Sequence, residues 1–278
     1  MKTQLTIFLS LIILSCNSEK DRSNMKWNVP VIKDSLPTAN KILETKYIRN
    51  PINQLLYIGT KKDTILITKK SLNINQYYSE FIEIDTIQRE SKIELIADTE
   101  QELSIDLENF SFPPPPVALK GSDGLEIDET KTDSVYEIWK KRPRNYVKAY
   151  PVFIRNPSKD TIHIDNQDGA LFLIQEAKNK MGEWKPIEYW IYSTCGNSYA
   201  YTSLGPDDIL ILKKVKYKGT FETEMRLKLR TNNKLVYSKP FKGLINIEQF
   251  ELENVDGFTK RRLKNRDEDY IDHIFLNQ

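Results

Sequence analysis

Apolar and polar positions alternate along much of this chain from about residue 46 onward. A period of two predicts strands with one face toward a core and one toward water. Leu103, Ile105 and Leu107 alternate with Ser104 and Asp106, and Ile93, Leu95 and Ala97 with Glu94 and Ile96. Over 221–229 every odd position except Thr223 is plainly apolar. Further short β-rich runs fall at 47–49, 55–58, 64–68, 77–86, 146–155, 161–164, 209–216, 235–238 and 244–250. The segments 170–176 and 185–192 flank Asn179-Lys180-Met181-Gly182, which predicts a β-hairpin.

The pattern breaks over 110–124, where four prolines at 113–116 favour extended polyproline backbone and Gly121-Ser122-Asp123-Gly124 supplies turn residues. The expected organisation is a signal peptide over 1–15, a tether over 16–40, a first β domain over 41–112, a proline-rich linker or loop over 113–134, a second β-sandwich domain over 135–252 and a tail over 253–278. Many short strands with little helix signal predict an all-β fold of two β-sandwich domains. These domains loosely resemble immunoglobulin-like modules, without the buried Cys-Trp-Cys arrangement of antibody domains. Two motifs recur in order: Ile48-Arg49-Asn50-Pro51 as Ile154-Arg155-Asn156-Pro157, and Lys62-Asp63-Thr64-Ile65 as Lys159-Asp160-Thr161-Ile162. Duplication explains the echo, and so does repeated strand-turn chemistry. In the tail, Tyr270, Ile271, Ile274 and Phe275 make a helical stripe that predicts docking on a core. As a single helix, the early bases Lys260, Arg261, Arg262, Lys264 and Arg266 and the late acids Asp267 to Asp269 would oppose the helix dipole.

The first residues differ from everything after them. Lys2 is followed by an apolar run over 5–14, broken by Thr6 and Ser10, then by Ile13-Leu14-Ser15-Cys16. A charged start, a short apolar stretch and a small residue have the build of a secretory signal, and the run is shorter than the roughly 20 residues a spanning helix needs. The Ile13-Leu14-Ser15-Cys16 quartet resembles the lipobox of bacterial lipoproteins. That resemblance implies a lipidated Cys16 and membrane attachment through it, stable when several acyl chains act together. The mixed charges of Asn17-Ser18-Glu19-Lys20-Asp21-Arg22 resemble the export tag of Bacteroidota surface lipoproteins, which implies an outer-membrane location with the facing left open.

About 263 residues follow the signal, enough for one large or two small domains. Aromatic residues make up 10% of the chain, which argues against gross disorder. A net charge of +2 is too small to suggest a nucleic-acid partner. If Cys16 carries lipid, Cys195 has no partner within the chain and core packing must hold the fold.

Candidate chemistry is sparse. Cys195 in Ser193-Thr194-Cys195-Gly196 would need a base, and His163 and His273 are the two available imidazoles. Asp165, Asp168, Asp207 and Asp208 read as turn residues rather than calcium ligands. No phosphate loop, nucleophile elbow or zinc helix motif is present, so no catalytic residue, metal or cofactor is assigned. Trp184, Tyr189, Trp190, Tyr192, Tyr199 and Tyr201 crowd one stretch and form the candidate surface for a glycan or an envelope protein partner. The expected function is a non-catalytic envelope lipoprotein acting in binding, adhesion or assembly. The alternatives are an envelope hydrolase with an unmarked site, and an inhibitor or assembly partner that uses an edge strand.

Overall fold

A computed structural model describes residues 27–49, 53, 55–68, 76–77, 92–107, 137–139, 141, 143–190, 199–232, 234–252, 255, 257–265 and 267–277. Cys16, Tyr192, Cys195 and the proline run lie outside the described residues.

Among the described residues, the strands before the proline run are β1 (Val31–Asp34), β2 (Leu43–Glu44), β3 (Tyr57–Thr60), β4 (Thr64–Ile67), β5 (Gln76–Tyr77), β6 (Glu94–Ala97) and β7 (Leu103–Asp106). Those after it begin with β8 (Tyr146–Arg155), β9 (Ile162–Gln167), β10 (Ala170–Leu171), β11 (Leu173–Lys178) and β12 (Trp184–Pro186). They continue with β13 (Tyr199–Leu204), β14 (Asp208–Val215), β15 (Tyr217–Lys218), β16 (Phe221–Thr231), β17 (Lys234–Tyr237) and β18 (Phe241–Ile245). The expected hairpin is present as β11 and β12, with Lys178 opposite Trp184 and Gly182 at φ +79° in the turn.

The central sheet runs β3–β14–β8–β6, and β7 continues the β6 side of β8. Strands from before and after the proline run therefore share one sheet: β3 pairs with β14, and β6 and β7 pair with β8. A second sheet runs β12–β11–β16–β17, with β18 also on β16. A third runs β10–β9–β13–β5. The pairs β1–β4 and β2–β15 are parallel.

Strands β8 and β14 have no wet face over most of their length. Val147, Ala149 and Phe153 of β8 and Ile209, Ile211 and Val215 of β14 pack with Ile32, Ile65 and Ile67 of β1 and β4. Tyr150, Val152 and Ile154 of β8 and Leu210 and Leu212 of β14 pack with Ile162, Ile164, Leu173, Leu227 and Leu229 from the other sheets. A sheet covered on both sides requires apolar residues at both parities, as the runs Val152-Phe153-Ile154 and Ile209-Leu210-Ile211-Leu212 provide. The segment expected as tether contributes to one cover: Ile32 is buried, Trp27 meets Phe153 edge-on at 5.6 Å, and Gln101 accepts from the Ile32 N–H at 2.7 Å.

Pro151 sits in the middle of this central strand without breaking it. Its carbonyl accepts from the Asp98 N–H at 3.1 Å, so its nitrogen faces the same side, at the gap between the pairings of β6 and β7. The missing N–H falls where the ladder is interrupted anyway.

The all-β expectation is corrected. Extensive sheet is joined by helices α1 (Gly257–Lys264) and α2 (Glu268–Ile274) and a 3-10 turn over Ile247–Phe250, so the fold is mixed α/β rather than a pair of immunoglobulin-like sandwiches. The 3-10 turn lies where a strand was expected over 244–250. There the Asn246 N–H donates to Gln249 Oε1 at 3.1 Å and the ladder stops at Ile245. The tail avoids the dipole conflict by breaking into two helices. Arg261, Arg262 and Lys264 end α1, and Glu268 and Asp269 begin α2, so each charge set lies at the favourable helix end. Asp267 caps α2 by accepting from the Tyr270 N–H at 3.2 Å, and also pairs with Arg262. Tyr270, Ile274 and Phe275 pack with Ile48, Tyr189 and Val255.

Candidate binding cavity

The sequence places two adjacent lysines, Lys213 and Lys214, at the end of the apolar strand β14. Alternation sends them to opposite faces of a sheet that is covered on both. Each meets a carboxylate. Lys213 Nζ donates to Asp34 Oδ2 at 2.6 Å and to the Ser104 carbonyl at 2.8 Å. Lys214 Nζ donates to Glu188 Oε2 at 2.5 Å and to Asn53 Oδ1 at 3.1 Å. Burial lowers both lysine pKa values, and the neighbouring carboxylate opposes that shift in each case.

Glu188 is the hub of the second cluster. Its Oε2 also accepts from the Gln175 N–H at 2.9 Å, and its Oε1 accepts from Gln175 Nε2 at 2.9 Å and Tyr217 OH at 2.8 Å. Tyr150 lies directly opposite Lys214 across the β8–β14 pairing, and its hydroxyl donates to Gln175 Oε1 at 2.8 Å. Asn53 donates to the Leu171 and Leu173 carbonyls at 2.9 and 2.6 Å. Burial, followed by the nearby Glu188 charge, holds both the Tyr150 and Tyr217 phenols well above their usual pKa. A buried cluster with its groups paired in this way is stiff, because rotating any member leaves a polar atom unsatisfied.

This cluster underlies an open cavity of about 510 Å³. Tyr150, Gln175 and Tyr217 belong both to the network and to the cavity lining. Ile42, Val215, Met225, Phe241 and Leu244 supply apolar wall. Gly243 makes room for that wall, since a Cβ there would lie 2.2 Å from Met225 Sδ. Thr99 and Glu100 reach the cavity from the turn between β6 and β7, opposite the ladder gap at Pro151. Lys216, Lys218, Glu222 and Lys242 add charge. A volume of this size falls within the roughly 300–1,000 Å³ typical of small-ligand pockets.

The residues singled out from sequence are placed elsewhere. Tyr189 packs against the tail helices. Trp190 packs with Phe172 and Leu276 and donates its indole N–H to Gln167 Oε1 at 3.0 Å. Tyr199 stacks near Phe172 at 6.1 Å, and Tyr201 meets His163 edge-on at 4.7 Å. Trp184 lies under the Arg226 guanidinium at 4.3 Å, and the same guanidinium lies 3.9 Å from the Tyr237 ring, so its face is already stacked. His163 Nδ1 is 2.9 Å from Ser203 Oγ, its cross-strand neighbour. His273 sits 3.5 Å from Arg230, and burial followed by that cation lowers its pKa to about 4. Asp168 and Asp207 occupy left-handed turn positions at φ 51° and 57°. Asp165 accepts from the Asn232 N–H at 2.7 Å, and Asp207 lies 3.4 Å from Arg155. Among the described residues no group of three His, Cys, Asp or Glu side chains is arranged to hold a metal ion.

Sequence patterning pointed to none of Tyr150, Gln175, Glu188, Lys214 and Tyr217. The available signal was the charged pair Lys213-Lys214 closing an otherwise apolar strand, which reads locally as a strand running out into water. No family model, curated protein or solved structure matches this chain.

Proposed function

We propose that the protein is a lipid-anchored envelope protein of the binding type, held at the outer membrane through Cys16, with the cavity above the Glu188 network as its ligand site. The observation that carries the reading is the combination of an open, largely apolar cavity with a floor whose polar groups are bound to one another. Such a floor is preorganised, so a ligand meets a fixed surface and little ordering cost arises on binding. The lipobox-like Ile13-Leu14-Ser15-Cys16 supports the anchor.

Two measurements test the two halves. Intact mass and membrane fractionation of wild type and Cys16→Ala are expected to show a lipid-sized mass increment and membrane retention, both lost in the variant. Identical soluble behaviour of the two forms overturns the anchor. Native mass spectrometry of protein purified from its own envelope is expected to show a small-molecule adduct that Leu244→Trp removes, because Leu244 is exposed and lines the cavity. An adduct pattern unchanged by that substitution, or no adduct in either form, overturns the cavity as the site.

A further inference from the structure

The charges around the cavity are not equivalent. Lys218 faces Glu44 at 3.6 Å and Lys242 faces Glu222 at 3.7 Å, both as exposed pairs. Lys216 and Glu100 also line the cavity, and among the described residues neither side chain has an ion-pair or hydrogen-bond partner. They come from different segments of the chain. Lys216 lies between β14 and β15, and Glu100 lies in the turn joining β6 to β7. Apolar surface from Ile42, Val215, Met225, Phe241 and Leu244 lines the same cavity.

We propose that the cavity takes a zwitterion with an apolar body, an apolar amino acid or a short unblocked peptide, with its carboxylate at Lys216 and its ammonium at Glu100. This inference rests on the cavity being the ligand site. Charge complementarity selects the class. An uncharged apolar ligand would take water from the half-buried Lys216 and leave both charges without a partner. A simple anion would satisfy Lys216 and set a like charge near Glu100, and a simple cation would do the reverse. A molecule with one charge of each sign and an apolar middle leaves neither penalty.

Isothermal titration calorimetry on the full chain in detergent tests this with four forms of one dipeptide: Leu-Phe, its N-acetyl form, its C-amide and the doubly blocked form. Leu-Phe is expected to bind, and each single block to weaken binding by about tenfold or more. Lys216→Gln is expected to weaken Leu-Phe while making amidation inconsequential. Glu100→Gln is expected to do the same for acetylation. Thermal unfolding of both variants checks that they are folded. If the doubly blocked peptide binds as well as Leu-Phe, or if none of the four binds, the zwitterion assignment is overturned. An envelope-derived adduct removed by Leu244→Trp would in either case leave the cavity standing as the ligand site, so failure of the two readings is distinguishable.

Discussion

Lys214 Nζ and Glu188 Oε2 lie 2.5 Å apart with both side chains sealed from water, at 0% and 1% exposure. This pair joins β14 to the segment after β12 and lies directly behind the cavity floor. Desolvation of two charges offsets most of their attraction, so the intact pair adds little net stability.

Removing one member has a different consequence from removing both. Lys214→Met leaves the Glu188 carboxylate buried without its cation and is expected to cost about 3–5 kcal/mol. Glu188→Gln leaves the ammonium in the same position. The double variant is expected to be more stable than the sum of the single losses predicts, by about 1 kcal/mol or more. Urea unfolding of the four proteins measures the cycle, and strict additivity would contradict the coupling.

Acid sensitivity should trace in part to His273. Its pKa is about 4 in the folded chain against an ordinary value near 6.5, through burial and then the Arg230 charge. Between these values the unfolded chain binds the proton and the folded chain does not. Stability from this group is therefore complete above about pH 6.5, falls as pH drops toward 4, and changes no further below that. His273→Gln is expected to flatten the slope of melting temperature against pH within that window. An unchanged slope would remove His273 from the acid response.

Two glycines should respond to alanine for different reasons. At Gly219 a Cβ would lie 1.9 Å from the backbone carbon of Ile245, so backbone must move at the junction of β15, β16 and β18. Gly219→Ala is expected to cost about 3 kcal/mol, at the upper end of typical overpacking. Gly182 has open space but holds φ +79°, so Gly182→Ala carries only backbone strain, about 1 kcal/mol. Chemical denaturation of both variants should rank Gly219→Ala as the more damaging.

The end of the chain is held by a buried cation. Lys228 Nζ donates to the Phe275 carbonyl at 2.9 Å and to Asn277 Oδ1 at 2.8 Å. Lys228→Met keeps the stem but removes those donors. Faster amide exchange over residues 270–277 is expected, with β8 and β14 unaffected. Equal protection of the tail in both forms would show that apolar packing against Tyr189 and Trp190 is sufficient.

Several elements could be read directly from the chain. Asn179-Lys180-Met181-Gly182 marked the β11–β12 hairpin because a short loop with glycine at positive φ is a local requirement. The alternation over 221–229 marked β16, whose Met225, Leu227 and Leu229 are buried. The tail stripe marked the docking of Tyr270, Ile274 and Phe275. The break between α1 and α2 was not legible, because it depends on Asp267 taking the cap of the second helix. Nor was the cavity, which draws Glu100, Tyr150, Gln175, Lys216 and Phe241 from five separate stretches of chain.

What the sequence determined by itself was local: several strands, among them β4, β8, β14 and β16, where the β11–β12 hairpin turns, and which positions of the tail face inward. These follow from side-chain periodicity and turn chemistry, which act over a few residues. Only the tertiary structure decided that β8 and β14 are covered on both faces, that strands flanking the proline run share a sheet, and that Lys213 and Lys214 turn inward to opposite carboxylates. The physical reason is desolvation. A lysine can be buried only where a distant carboxylate arrives to meet it, and neither the Asp34–Lys213 nor the Glu188–Lys214 meeting is encoded in the residues beside the lysine.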